Sequence, residues 1–131
     1  MPCRMNPQQY ASVLALSSAD RSTHFVGKVA DWQQLWGAKN DRGWLVPCTP
    51  DGLAYFPVWP HPEYARKIIA AHFPDHHAVE FTLDEFLDHW LATFERDGVK
   101  VAVFPDEDWV FWVMEPKDLE QCLRDELTLY E

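Results

Sequence analysis

An α+β domain is predicted, with about five helices packed on a mixed or mainly antiparallel sheet of five to six strands. Three observations carry that expectation. Stripes of apolar residues at spacings of three and four alternate with short apolar runs broken by Asn40-Asp41-Arg42-Gly43 and Thr49-Pro50-Asp51-Gly52. The chain has 131 residues, 47% of them hydrophobic, which is enough to bury one core without disulfide or metal staples. No linker, internal repeat or low-complexity tract divides it, so one domain over 1–131 is expected, with residues 1–5 as a flexible appendage.

Asn6 and Pro7 read as an N-cap and first helical position, ahead of Tyr10, Val13 and Leu14 on one helix face. A second helix follows from a Ser18 cap, with Phe25, Val29 and Trp32 on its buried stripe and Val26 and Ala30 widening it. Strands are expected over Leu35 to Ala38, Trp44 to Val46 and Leu53 to Val58, arranged as a meander. Pro57 cannot donate to a ladder, so the third strand should end there or run along an edge. Pro62 then opens a helix whose stripe is Tyr64, Ala65, Ile68 and Ile69, and Pro74 stops it. After an extended Ala78 to Phe81 segment, Thr82 and Glu85 have capping-box spacing before Leu83, Phe86, Leu87, Trp90, Leu91 and Phe94, until Asp97-Gly98. Val99 to Phe104 and Trp109 to Met114 flank the acidic Asp106-Glu107-Asp108 turn as a hairpin. Both strands are apolar on two faces and are expected to be covered, with Trp112 and Trp90 in the core. A last helix opens at Pro116 and turns Leu119, Cys122, Leu123, Leu127 and Tyr130 inward.

The charge is unevenly placed. Residues 1–78 carry 7 basic and 6 acidic side chains, whereas residues 79–131 carry 4 basic and 15 acidic ones, and the whole chain stands at −10. Such a surplus repels phosphate, so neither nucleic acid nor an anionic membrane is an expected partner. It would steer a basic protein, or serve only as a solvated surface. No stretch has the length of an apolar membrane span, and the start has no signal-peptide core, so a cytoplasmic protein is expected. Cys3, Cys48 and Cys122 fit neither a disulfide framework nor a zinc site and are expected as reduced thiols, Cys122 as a buried one.

Chemistry-bearing motifs are scarce. There is no glycine-rich phosphate loop, GxSxG elbow, HExxH or paired CxxC, and no cofactor or resident metal is expected. His72, His76 and His77 lie close together, but Pro74 breaks the register a zinc-binding helix needs, and they read as surface histidines. The segment Trp59-Pro60-His61-Pro62-Glu63 is the most pointed feature. Two prolines pre-set its backbone and would lower the cost of presenting Trp59 and His61. With Trp36 and Trp44, aromatic side chains of the kind found at binding hot spots, these residues form the candidate binding surface: Trp36, Trp44, Trp59, His61 and Glu63. The alternative is a small hydrolase using His61 and Glu63 as base and acid, which needs an apolar cleft. A third possibility, a purely structural subunit, would form an obligate dimer; the oligomeric state is left open.

Lys28-Val29-Ala30-Asp31-Trp32 with Trp36, Gly43-Trp44, Pro57 to Glu63, Glu85-Phe86 with Trp90-Leu91, and Asp97-Gly98 leading to Val101-Ala102-Val103-Phe104-Pro105 together resemble the bacterial DUF2750 family, a domain of unknown function. The resemblance runs from about Asn6 to Glu131 and implies one compact α+β domain, with no activity or catalytic motif to carry over. The resemblance implies Met5 as the native start in relatives, which would make Met1 to Arg4 an appendage. The order of elements after Leu53 is also similar, at fold level only, to the N-terminal domain of the enhanced serine sensitivity protein B family. The function expected is a bacterial cytoplasmic binding or regulatory module, immunity-like in one version, that recognises a protein partner or small ligand.

Overall fold

A computed structural model describes residues 6–130, without the side chain of Tyr130; the expected appendage over 1–5 and the inward turn of Tyr130 lie outside the described residues. Helix starts follow capping chemistry. Asn6 Oδ1 accepts the Gln9 N–H at 2.7 Å to open α1 (Pro7–Leu14). Ser17, one residue before the expected cap, accepts the Asp20 N–H at 3.1 Å to open α2 (Ser18–Trp32), which buries Phe25, Val29 and Ala30. α3 (Pro62–His72) buries the four expected residues Tyr64, Ala65, Ile68 and Ile69. Thr82 caps α4 (Leu83–Glu85) through the Glu85 N–H, and the helical run then widens into a π-helical turn, Phe86–Trp90, before α5 (Leu91–Asp97) ends at Gly98 with φ 72°. Glu85 does not complete the expected box. Its carboxylate accepts the Trp90 indole N–H at 3.4 Å. In α6 (Pro116–Leu127) Leu119 and Leu123 are buried, but Cys122 is exposed, because it lies about 80° off the centre of their stripe at 100° per residue.

The strands correct the meander. β1 (Gln34–Asn40) pairs antiparallel with β2 (Gly43–Trp44) and with β4 (His77–Thr82), in the order β2-β1-β4. β2 stops early: the Leu45 N–H still donates to Ala38 at 2.8 Å, but beyond it the backbone of Trp36 pairs with Trp59 instead. β3 (Tyr55–Val58) pairs in parallel with β5 (Lys100–Val103), which pairs antiparallel with β6 (Trp112–Met114). The link from β3 to β5 therefore runs through α3, β4 and the helical run, as a parallel pair requires a long crossover. Pro57 lies on the edge of this second sheet. The two sheets are stitched where Trp36 and Trp59 exchange both backbone N–H···O bonds, each 2.9 Å. The result is a single α+β domain with six strands in two three-stranded sheets.

Between the strands and helices lies an aromatic interior. Gly37 shows how tight it is: a Cβ there would stand 3.0 Å from the Phe81 ring and 3.2 Å from the Phe56 ring. Val101, Ala102 and Val103 of β5 are buried, as expected of a central strand, and Lys100 at its start is half-buried. β6 is not so covered. Trp112 and Val113 are 43% and 44% exposed, as is Val110 just before them at 51%, because the sheet ends at β6 and no strand among the described residues pairs beyond it. The expectation of Trp112 in the core is therefore corrected. No helix among the described residues is long and apolar enough to cross a membrane.

Candidate interaction surface

The proline-framed segment turns inward. Trp59 has no exposed surface, its indole N–H donates to the Pro105 carbonyl at 3.0 Å, and its ring lies 6.0 Å from that of Trp109. His61 is 3% exposed and caps α3, its Nδ1 accepting the Glu63 N–H at 3.1 Å. The imidazole sits among Trp32, Trp36 and Tyr64, with ring centroids 5.6, 6.4 and 6.1 Å away. Burying these groups costs little once the indole N–H and the ring nitrogen are satisfied, and it removes much apolar area from water. The outward patch expected at Trp59 and His61 is thus corrected to an interior seam. Trp36 belongs to it and is also buried, while Glu63 is half-buried in the first turn of α3, where the helix dipole favours a carboxylate. Trp44 does not join them. It pairs with Lys39, on the sheet face opposite Trp36, and stacks on Phe81 at 4.7 Å with the Lys39 ammonium 5.0 Å from its ring. Four of the five residues come together, none as an open surface.

What sequence reasoning missed is Arg21. It is 2% exposed, and its guanidinium donates from Nη1 to the Leu16 carbonyl at 2.6 Å, from Nη2 to the Val110 carbonyl at 2.8 Å and from Nε to the Phe104 carbonyl at 3.2 Å. Asp106 Oδ2 lies 3.6 Å from Nη2, and Asp106 Oδ1 accepts the N–H groups of Asp108 and Val110, each at 2.9 Å. The signal was present, since Arg21 precedes Phe25 and Val29 at four-residue steps on the buried stripe of α2. Trp109 completes the anchoring. In a left-handed conformation with φ 63°, it donates its indole N–H to Tyr55 Oη at 2.9 Å and packs on His72 and Phe73, each 5.1 Å away. The loop between β5 and β6 is thereby held from α2, α3 and β3, and it delivers β6 to the edge in a defined position.

Alternation along the strands settles which way the β6 backbone faces. The N–H groups of Lys100 and Phe104 donate to Ala54 and Val58 on the β3 side, so Val101 and Val103 face β6, opposite Met114 and Trp112. The N–H and C=O of Val113 therefore point away from the sheet, and those of Phe111 follow by the same alternation. Around this apolar edge stand the exposed acids Glu107, Asp108, Glu115 and Asp118.

A separate cleft of about 240 Å³ is lined by Tyr10, Lys67, Ile68, Ala71 and Glu107. The Tyr10 ring stacks on Tyr64 at 4.9 Å with the Lys67 ammonium 4.5 Å from its centroid. Burial, then the Glu107 and Glu63 charges, push the Tyr10 hydroxyl up to about 12. The Tyr64 hydroxyl is raised further, first by burial and then by Tyr10 and Glu63, and it has no hydrogen-bond partner among the described residues. The histidines do not converge: His72 Nε2 meets the Glu107 carbonyl at 2.6 Å, and His76 Nδ1 meets Asp75 at 2.8 Å, holding that carboxyl below its ordinary range. Among the described residues no group of three His, Cys, Asp or Glu side chains could hold a metal ion.

Neither curated proteins nor solved structures gave a match to the chain. The family model described as a protein of unknown function, DUF2750, does match, over residues 22–123. That span opens at Ser22, next to Arg21 in α2, takes in all six strands and the loop that Arg21 holds, and closes at Leu123 in α6. The chain belongs to the DUF2750 family.

Proposed function

We propose that this chain is a bacterial cytoplasmic protein-binding module whose contact surface is the apolar edge of β6, centred on Trp112. The observation carrying the reading is the exposure of Trp112 and Val113 on a strand whose outer edge is unpaired, with Val110 exposed just before it. Contiguous exposed apolar residues on a rigid element, rimmed by charge, are the composition of an interface core. Tryptophan at the centre matches the residues that dominate binding energies. The acidic second half suits a basic partner and would speed its approach at low ionic strength.

The test is retention of cytoplasmic proteins on the immobilised chain, wild type beside Trp112→Glu, with both folds checked by circular dichroism. A basic protein held at least about tenfold less by the variant, a loss of about 1.4 kcal/mol or more, is the expected outcome. Equal retention by the two chains overturns the reading.

A further inference from the structure

We infer that the free edge of β6 takes up an extended segment of a basic protein as an added strand, the N–H and C=O groups of Phe111 and Val113 pairing with it. This rests on the protein-binding reading above and specifies its geometry. An unpaired edge presents main-chain donors and acceptors that a second strand can satisfy, and alternate side chains of that strand then fall on the two faces of the sheet. Here the faces are set by Trp112 and Met114 on one side and Val113 on the other. The edge is also short, because the chain before Phe111 turns into the loop, where Val110 is bonded to Arg21 and Asp106, and Glu115 O is taken by the Leu119 N–H. An incoming strand meets two open residues, Phe111 and Val113, and then passes beyond them into acid at either end.

Charge selects the occupant. Glu107 and Asp108 precede the edge and carry no ion pair among the described residues; Asp118 follows it. Of the nearby cations, Lys100 is held by Glu115 at 2.6 Å, Lys117 by Glu95 at 3.0 Å and Arg124 by Glu120 at 2.8 Å, while Lys67 lines the Tyr10 cleft with Glu107, its ammonium 4.5 Å from the Tyr10 ring. A two-fold pairing of two β6 strands centred on Val113 would bring both acidic rims together, so a second copy is disfavoured. A segment with lysine or arginine flanking alternating apolar residues is matched at both ends.

The experiment is amide hydrogen exchange of the full chain by NMR, with and without the synthetic peptide Lys-Lys-Thr-Val-Thr-Val-Thr-Lys-Lys and its counterpart with Glu at every Lys. The basic peptide should slow exchange at Phe111 and Val113 by at least about tenfold, and the acidic one should not. Val113→Pro removes only an outward donor and should abolish the effect; the double charge reversal Glu107→Lys with Asp108→Lys, at exposed positions, should weaken it without touching the fold. No protection by the basic peptide, equal protection by both peptides, or protection that rises with chain concentration alone overturns strand addition. If Trp112-dependent retention persists while the peptide gives no protection, the binding reading stands and this geometry falls. If retention is independent of Trp112, the reading itself falls.

Discussion

Among the described residues, Arg21 joins more separate parts of the backbone than any other charged side chain. Its three carbonyl acceptors belong to the α1–α2 junction, the end of β5 and the loop entering β6, so one guanidinium replaces the backbone partners that an irregular loop lacks. Arg21→Met keeps the aliphatic stem and removes every donor, so the Leu16, Phe104 and Val110 carbonyls lose the guanidinium and the Asp106 carboxylate loses its cation. Destabilisation of about 3–5 kcal/mol is expected, read as a lower urea midpoint. The contrast with Trp59 and His61 explains what was legible. Composition marked these residues as distinctive, but whether an indole lies inside or outside depends on what stands across from it. The Pro105 carbonyl, supplied from 46 residues away, and the Trp109 ring beyond it decided that.

Helices were the most readable elements, because caps and stripes are local. The starts at Asn6, Pro62 and Thr82 follow from short-range hydrogen bonds, and only the step from Ser18 to Ser17 moved. The π-helical turn was not legible, since its pattern of Phe86, Leu87, Trp90 and Leu91 also fits an α-helix. Strands were readable as segments and misleading as partners. An apolar run says that a strand has something to bury, and β6 shows that it does not say a neighbour exists to bury it. Within β1, Gly37 marks where two phenyl rings close on the backbone. Gly37→Ala is expected to cost about 1–3 kcal/mol by overpacking, seen as a lower Tm with an unchanged circular dichroism spectrum.

Taken as one body, the protein joins a near-neutral first part to an acidic second part through a parallel strand pair that no local pattern announces. The charge imbalance was plain in the chain; the joining of β3 to β5 was not, because it depends on contacts across the crossover. Its response to alkali follows from Tyr10 and Tyr64. Both hydroxyls hold their protons more tightly when folded than the ordinary value of 10.0, so the folded state carries more bound protons above that pH. Their stabilising share is complete below about pH 10 and is lost as pH rises toward about 12. Urea midpoints should therefore fall across pH 10 to 12. Combining Tyr10→Phe with Tyr64→Phe should flatten that fall, and an unchanged slope would show that other groups control it.

The openness of β6 also gives the molecule an optical reporter of its own. Among its seven tryptophans, Trp36 and Trp59 are buried, Trp32, Trp44, Trp90 and Trp109 are half-buried, and Trp112 alone is exposed. A collisional quencher such as iodide meets Trp112 before the others, and whatever settles on that edge shields the accessible fraction of the emission. Occupancy of the surface can thus be followed in the unlabelled protein by the light it emits.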